Sequence, residues 1–90
     1  MITQLEKDDL LFDVSEVLNS FQFIMRVTIY DRDTLRVISV SDIHEGQLKQ
    51  ELEKDSLSYL LQEPHRREEL SKYIVQNIHY DDARRKAYFM

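Results

Sequence analysis

The sequence predicts an α+β fold in one small domain, residues 1–90. A chain of ninety residues is the size of a single domain and buries only about 60% of its unfolded surface on folding. Its 42% hydrophobic and 10% aromatic content is typical of a globular protein. One stretch alternates apolar and polar residues as strands do, while the stretches on both sides repeat apolar residues at helical intervals. These patterns together predict helices around a short antiparallel sheet.

The first element is predicted to be an N-terminal helix over residues 4–19. Thr3 and Glu6 have the spacing of a capping box, and acids occupy the first turns. Apolar residues then recur at helical intervals, namely Leu10, Val14, Val17, Leu18 and Phe21. Phe12 falls outside this stripe, so either the helix has a second contact surface or it begins later than the capping box indicates.

An antiparallel hairpin is predicted next. Residues 21–30 alternate as a strand, with Phe23, Met25, Val27 and Ile29 on one face. Residues 31–34 supply turn-forming side chains, and the alternation resumes over residues 35–40. That second strand is expected to place Leu35, Val37 and Ser39 on one face and Arg36, Ile38 and Val40 on the other.

Two or three C-terminal helices are expected to follow the hairpin. Ser41 and Asp42 offer N-caps for a helix that turns Leu48 and Leu52 inward, with a break near residues 55–56. Pro64 suits the first turn of another helix, which continues to about His79. The tail after residue 82 is either a short helix or a third strand beside the hairpin, and we favour the strand.

Composition and charge limit the cellular setting and the partners. The chain contains no cysteine, and small secreted domains usually depend on disulfides, so we expect the cytoplasm. The N-terminus carries acids where a signal peptide needs basic and apolar residues, and no stretch is long enough to span a membrane. A net charge of −5 disfavours non-specific binding to nucleic acid or an anionic membrane.

No catalytic, cofactor or metal site is predicted. The histidines His44, His65 and His79 lack a second ligand at metal-binding spacing. The single glycine rules out P-loop and Rossmann motifs, and no nucleophile elbow is present. An acid–base enzyme that uses His44 with Glu45, or His79 with Asp81, remains an alternative hypothesis.

Two short basic clusters are candidate phosphate-binding sites. Acids follow the first cluster at residues 68–69 and precede the second at residues 81–82, so each can be neutralised locally. The candidate residues are Arg66, Arg67, Arg84, Arg85 and Lys86, with Arg26 and Arg36 as further contributors from the hairpin. They support a second hypothesis, a protein that associates with nucleic acid.

Self-association is the main functional prediction. Both faces of the predicted hairpin carry bulky apolar side chains, and helices in so small a domain cover one face more readily than two. Either the rest of the chain, a second copy or another protein must cover the second face. The candidate interface residues are Phe23, Met25, Tyr30, Ile38, Val40, Tyr88 and Phe89. The sequence therefore predicts a non-enzymatic interaction module, a homodimeric regulator or adaptor.

Overall fold

The structure is a computed structural model and describes residues 2–90. It contains one four-stranded sheet, one two-stranded sheet, two α-helices and a 3-10 helix. The four strands that come first are β1 (Ile2–Lys7), β2 (Leu10–Asn19), β3 (Gln22–Asp31) and β4 (Val37–His44). The remaining elements are α1 (Glu45–Lys54), the 3-10 helix Ser58–Gln62, α2 (Arg66–Asn77), β5 (Ile78–Asp81) and β6 (Lys86–Phe89).

The predicted N-terminal helix is wrong, because residues 4–19 belong to β1 and β2. The two strands pair along their length through a turn at Asp8, whose φ of 57° reverses the chain. Phe12, which did not fit the helical stripe, is 1% exposed and faces the same way as Val14. Leu10 and Val14 fit both a helical and a strand pattern, whereas Phe12 fits only the strand alternation, which is the structure that β2 adopts.

The β3–β4 hairpin lies where the sequence placed a hairpin, although its second strand has different bounds. β4 begins at Val37 and continues to His44, so Ser41 and Asp42 lie inside a strand and do not cap a helix. The register shifts between Ile29 and Tyr30, where a β-bulge leaves Ile38 without a partner on β3. Antiparallel pairing with β3 thus overrides the capping signal at Ser41 and Asp42.

The prediction of two or three C-terminal helices is also wrong. Along the chain, α1 and α2 come after the four-stranded sheet and before the β5–β6 hairpin, which is C-terminal. The expected break is present: α1 ends at Lys54, and Ser56 has a φ of 58° before the 3-10 helix. The tail does form a strand, β6, but it pairs with β5 and not with the β3–β4 hairpin. Residues 78–81, which begin inside the predicted last helix and continue past its expected end near His79, supply that partner strand.

The four-stranded sheet is a meander, with strand order β1-β2-β3-β4. One face packs against both helices and the β5–β6 hairpin, and this layer holds the hydrophobic core. Its fully buried large side chains are Phe12, Met25, Ile29, Leu48, Leu52, Leu70, Ile74 and Ile78. On the opposite face the described side chains are exposed or half-buried, apart from Ile24, which is 6% exposed. Neither helix within residues 2–90 has the length and hydropathy of a membrane span.

Candidate interaction surface

The uncovered side of the four-stranded sheet, called the open face here, is built from rows of paired residues that cross the strands. Two rows at its ends are mostly apolar, and two rows in the middle are mostly polar. The apolar rows are Glu6-Leu11-Tyr30-Val37 and Val17-Ile24-His44. The polar rows are Gln4-Asp13-Thr28-Val40 and Ile2-Ser15-Arg26-Asp42.

The bulge in β4 enlarges the apolar part of the open face. Strict alternation would separate Val37 from Val40, because their positions differ by an odd number. The extra residue at Ile38 changes the phase, so Val37 lies opposite Tyr30 and Val40 lies opposite Thr28 on the same face. Val37 and Val40 are each 58% exposed. Exposed aliphatic side chains on one face of a sheet are a typical starting point for association.

Three charged side chains on the open face have partners within the face. Arg26 donates two hydrogen bonds to the carboxylate of Asp42, at 2.8 and 3.2 Å, and these bonds hold the pKa of Asp42 below its ordinary value. Gln4 donates to Asp13 at 2.8 Å. Removal from water, reinforced by a hydrogen bond to Asp13, raises the pKa of Tyr30. Arg26, Asp42 and Asp13 therefore each have a partner within the face.

The outer side of β1 is a second uncovered feature. β1 pairs with β2 only, so its other side carries backbone N–H and C=O groups that no described strand pairs with. On the helix side, Lys7 donates a 2.6 Å hydrogen bond to the carbonyl of Ile78, just after the end of α2. Partial burial of the ammonium group lowers the pKa of Lys7. This bond fixes the end of β1 against the helix layer.

The predicted interface residues divide between the core and the surface. Phe23, Met25 and Phe89 are buried in the core. Tyr30 is half-buried on the open face, and Val40 is exposed there. Ile38 and Tyr88 lie outside the open face: half-buried Ile38 lines a cavity of about 430 Å³ beside the β5–β6 turn, and Tyr88 is exposed on β6.

The two predicted basic clusters lie at different places, and Arg66 and Arg84 interact with named protein groups. Arg66 binds the carboxylate of Glu16 at 2.5 Å, donates to the carbonyl of Leu61 at 3.1 Å, and stacks on the ring of Phe23. Arg67 follows Arg66 in α2, and both residues line a cavity of about 290 Å³. At the other end of the chain, Arg84 lies 3.7 Å from Asp81.

The remaining basic candidates lie near the β5–β6 turn and the hairpin loop. Arg85 lines the 430 Å³ cavity together with Arg36, and Asp31 and Asp82 line it as well. Lys86 opposes Asp81 in the β5–β6 pair. Arg26 is held by Asp42 on the open face. The structure thus distributes the seven basic side chains over three regions, most of them beside an acid.

The titratable pairs considered for catalysis do not converge. His44 is exposed at the end of β4, and His79 is exposed on β5. No group of three or more metal-ligating side chains occurs within the described part of the chain. A cavity of about 610 Å³ lies between α1 and the 3-10 helix and is open to solvent. Its charged side chains are Glu45, Lys49 and Glu53.

Sequence reasoning missed the surface residues of β1, because it placed residues 4–19 in a helix. Thr3, Leu5 and Lys7 face the helix layer, while Gln4 and Glu6 belong to the open face. The signal that identifies them is the alternation of β2, which continues through Phe12 and Val14 to Glu16. Comparison with protein-family models, curated proteins and solved structures finds nothing that matches this chain.

Proposed function

We propose that this protein is a non-enzymatic interaction module that works as a homodimer, in which a second copy covers uncovered surface of the four-stranded sheet. The observation that carries the proposal is that sheet itself, which has one packed face, one open face and an edge strand, β1, that is paired on one side only. A small cytoplasmic regulator or adaptor fits this description. Its location is inferred from a sequence without cysteine.

Exposed apolar residues on the sheet support self-association. Val37 and Val40 on β4, together with Ile2 on β1, are each more than half exposed. With strands about 4.8 Å apart and about 3.3 Å per residue, the open face covers roughly 500 Å² in each copy. Two such surfaces total about 1,000 Å², the lower limit for a specific interface. A dimer that uses the sheet is therefore stable enough to be measured.

The other two hypotheses receive less support from the structure. Arg66 and Arg84 are already bound to Glu16 and Asp81, so a nucleic-acid site that uses the basic clusters would have to break these ion pairs. His44 and Glu45 lie at the junction of β4 and α1, whereas His79 and Asp81 both lie on β5. Both histidines are exposed. Neither pair lies with a nucleophile in an enclosed cavity, as a reaction centre requires.

The mass of the protein in solution tests the proposal. Size-exclusion chromatography with light scattering over about 1–100 µM covers the micromolar range in which a weak regulatory dimer dissociates. We expect the mass of two chains at the upper concentrations and a shift toward one chain on dilution. A constant mass of one chain across the range would overturn the proposal.

A further inference from the structure

β1 is an edge strand of the four-stranded sheet and pairs with β2 on one side only. An edge strand presents unpaired N–H and C=O groups, and proteins usually protect such strands with a bulge, a proline, a charge or a covering element. β4 has the bulge at Ile38, and β6 lies next to it. β5 and β6 are only four residues long. β1 has six residues, with neither proline nor bulge in its pairing with β2.

The sequence of β1 is complementary to itself in one antiparallel register. With the two-fold axis at Leu5, Gln4 lies opposite Glu6 of the second copy, and Thr3 lies opposite Lys7 of the second copy. An amide then faces a carboxylate on the open-face side, and a hydroxyl faces an ammonium group on the helix side. No like charges are directly opposed. Shifting the axis to Gln4 would instead place Ile2 opposite Glu6, which is a poorer match.

We propose that two copies pair antiparallel through β1, with the two-fold axis at Leu5, and so form one continuous eight-stranded sheet. This inference rests on the proposed homodimer and names the surface that forms it. The open face is a weaker choice for that surface, because its two middle rows are polar and self-contact would bury Glu6 and Asp13. Pairing through β1 adds backbone hydrogen bonds and leaves those carboxylates in water.

The helix beneath β1 is compatible with this arrangement. A shallow cavity of about 190 Å³ separates β1 from α2, and its lining includes Leu5, Lys72 and Val75. Lys72 lies 3.8 Å from Glu68 and 3.7 Å from Glu69, so its charge is balanced within its own helix. The proposed pairing brings Leu5 of the two copies together beside this cavity.

Charge changes at Gln4 test the register. Gln4→Glu places a carboxylate opposite Glu6 of the second copy twice per dimer, and we expect the dimer dissociation constant to rise about 3- to 30-fold. Gln4→Lys places an ammonium group there, and the constant should fall by a similar factor. Position 4 also faces Asp13 within one copy, so both variants are measured again together with Glu6→Gln, which removes the charge in the second copy and leaves Asp13 in place; the opposite effects should then disappear. Gln22→Glu, the same change at an exposed position on β3, is the matched control and should leave the constant unchanged.

Hydrogen exchange measured at low and high protein concentration tests the backbone pairing. Amide groups on the outer side of β1 should exchange more slowly as the dimer forms, while amides of β4 should not change. A dimer without added protection in β1, or with the same response to both Gln4 variants, would overturn the β1 interface and leave the homodimer standing. A dimer that Val40→Lys dissociates and Gln4→Glu does not would assign the contact to the open face instead. A monomer would remove both proposals.

Discussion

Arg66 and Glu16, fifty residues apart in the chain, form an ion pair that joins the start of α2 to the middle of β2. The same guanidinium group donates to the carbonyl of Leu61 and lies 4.7 Å above the centre of the Phe23 ring. One side chain thus connects the sheet, the 3-10 helix and α2. Arg66, a candidate phosphate-binding residue in the sequence, therefore has contacts that hold these elements together.

Replacing Arg66 should destabilise the fold. Arg66→Ala removes a charge-assisted hydrogen bond, a bond to a backbone carbonyl and a cation–π contact, and we expect a loss of about 1–2 kcal/mol in the free energy of unfolding. Arg66→Lys should recover only part of this, because an ammonium group cannot make the same forked and stacked contacts. Urea unfolding followed by circular dichroism measures the difference.

The control for Arg66 is Arg84→Ala. Arg84 has a mostly exposed side chain 3.7 Å from Asp81, so this ion pair should contribute less than about 0.5 kcal/mol. If the two alanine variants were equally stable, the contacts of Arg66 would have no special structural role.

Tyr73 should make the stability fall at alkaline pH. Its hydroxyl donates to Asp55 at 2.5 Å, with the carbonyl of Glu51 at 3.1 Å, and burial together with these neighbours raises the pKa of Tyr73 to about 12. Because this folded-state pKa lies above the ordinary value of 10, the neutral hydroxyl contributes its full stabilisation below pH 10. That contribution is lost as the pH rises from 10 through 12, by at most about 2.7 kcal/mol.

Comparison with Tyr73→Phe isolates this effect. The variant should be less stable than the parent protein by about 1–2 kcal/mol at pH 8, and the difference should shrink toward pH 12. Urea unfolding at several pH values gives both numbers. Tyr59→Phe, which changes an exposed ring, should follow the parent protein throughout. A constant difference between Tyr73→Phe and the parent protein would contradict the assigned pKa.

Leu35 is strained and should be improved by glycine. It lies at the end of the β3–β4 loop with a φ of 61°, a conformation that costs a non-glycine residue about 1 kcal/mol, and its side chain is mostly exposed. Leu35→Gly should therefore raise the free energy of unfolding by about 0.5–1 kcal/mol, after allowing for the more flexible unfolded chain. Thermal unfolding detects this as a rise of several degrees.

The matched change Leu18→Gly removes another exposed leucine, this time from β2. Glycine weakens a strand, so this variant should lose stability. A loss of stability in both variants would show that Leu35 is not under backbone strain.

The middle of the chain was more predictable than its start. The β3–β4 hairpin was visible because Phe23, Met25, Val27 and Ile29 alternate without a competing pattern. Residues 4–19 fit both a helical and a strand pattern. The choice between the two depends on the pairing of β2 with β3, which the pattern of residues 4–19 alone does not show. The turn at Asp8 was equally hidden, since an aspartate with positive φ has no distinctive neighbour such as glycine.

The candidate interaction surface depends on features that the sequence pattern does not show. Phe23 and Met25 were assigned to an interface because they are large and apolar, yet the helices bury them. Which of two apolar faces is covered depends on where the helices pack, and which strand is at the edge depends on the whole strand order. Gln4 and Glu6 acquire their significance only when β1 is known to be the outer strand.

The meander has a consequence for how quickly the protein folds. Each strand of the four-stranded sheet pairs with its neighbour in sequence, so no step in building that sheet requires a long loop to close. Chains dominated by such local contacts cross the folding barrier faster than sandwiches of similar size. β1, whose only partner in the sheet is β2, can be the last strand to join and the first to detach.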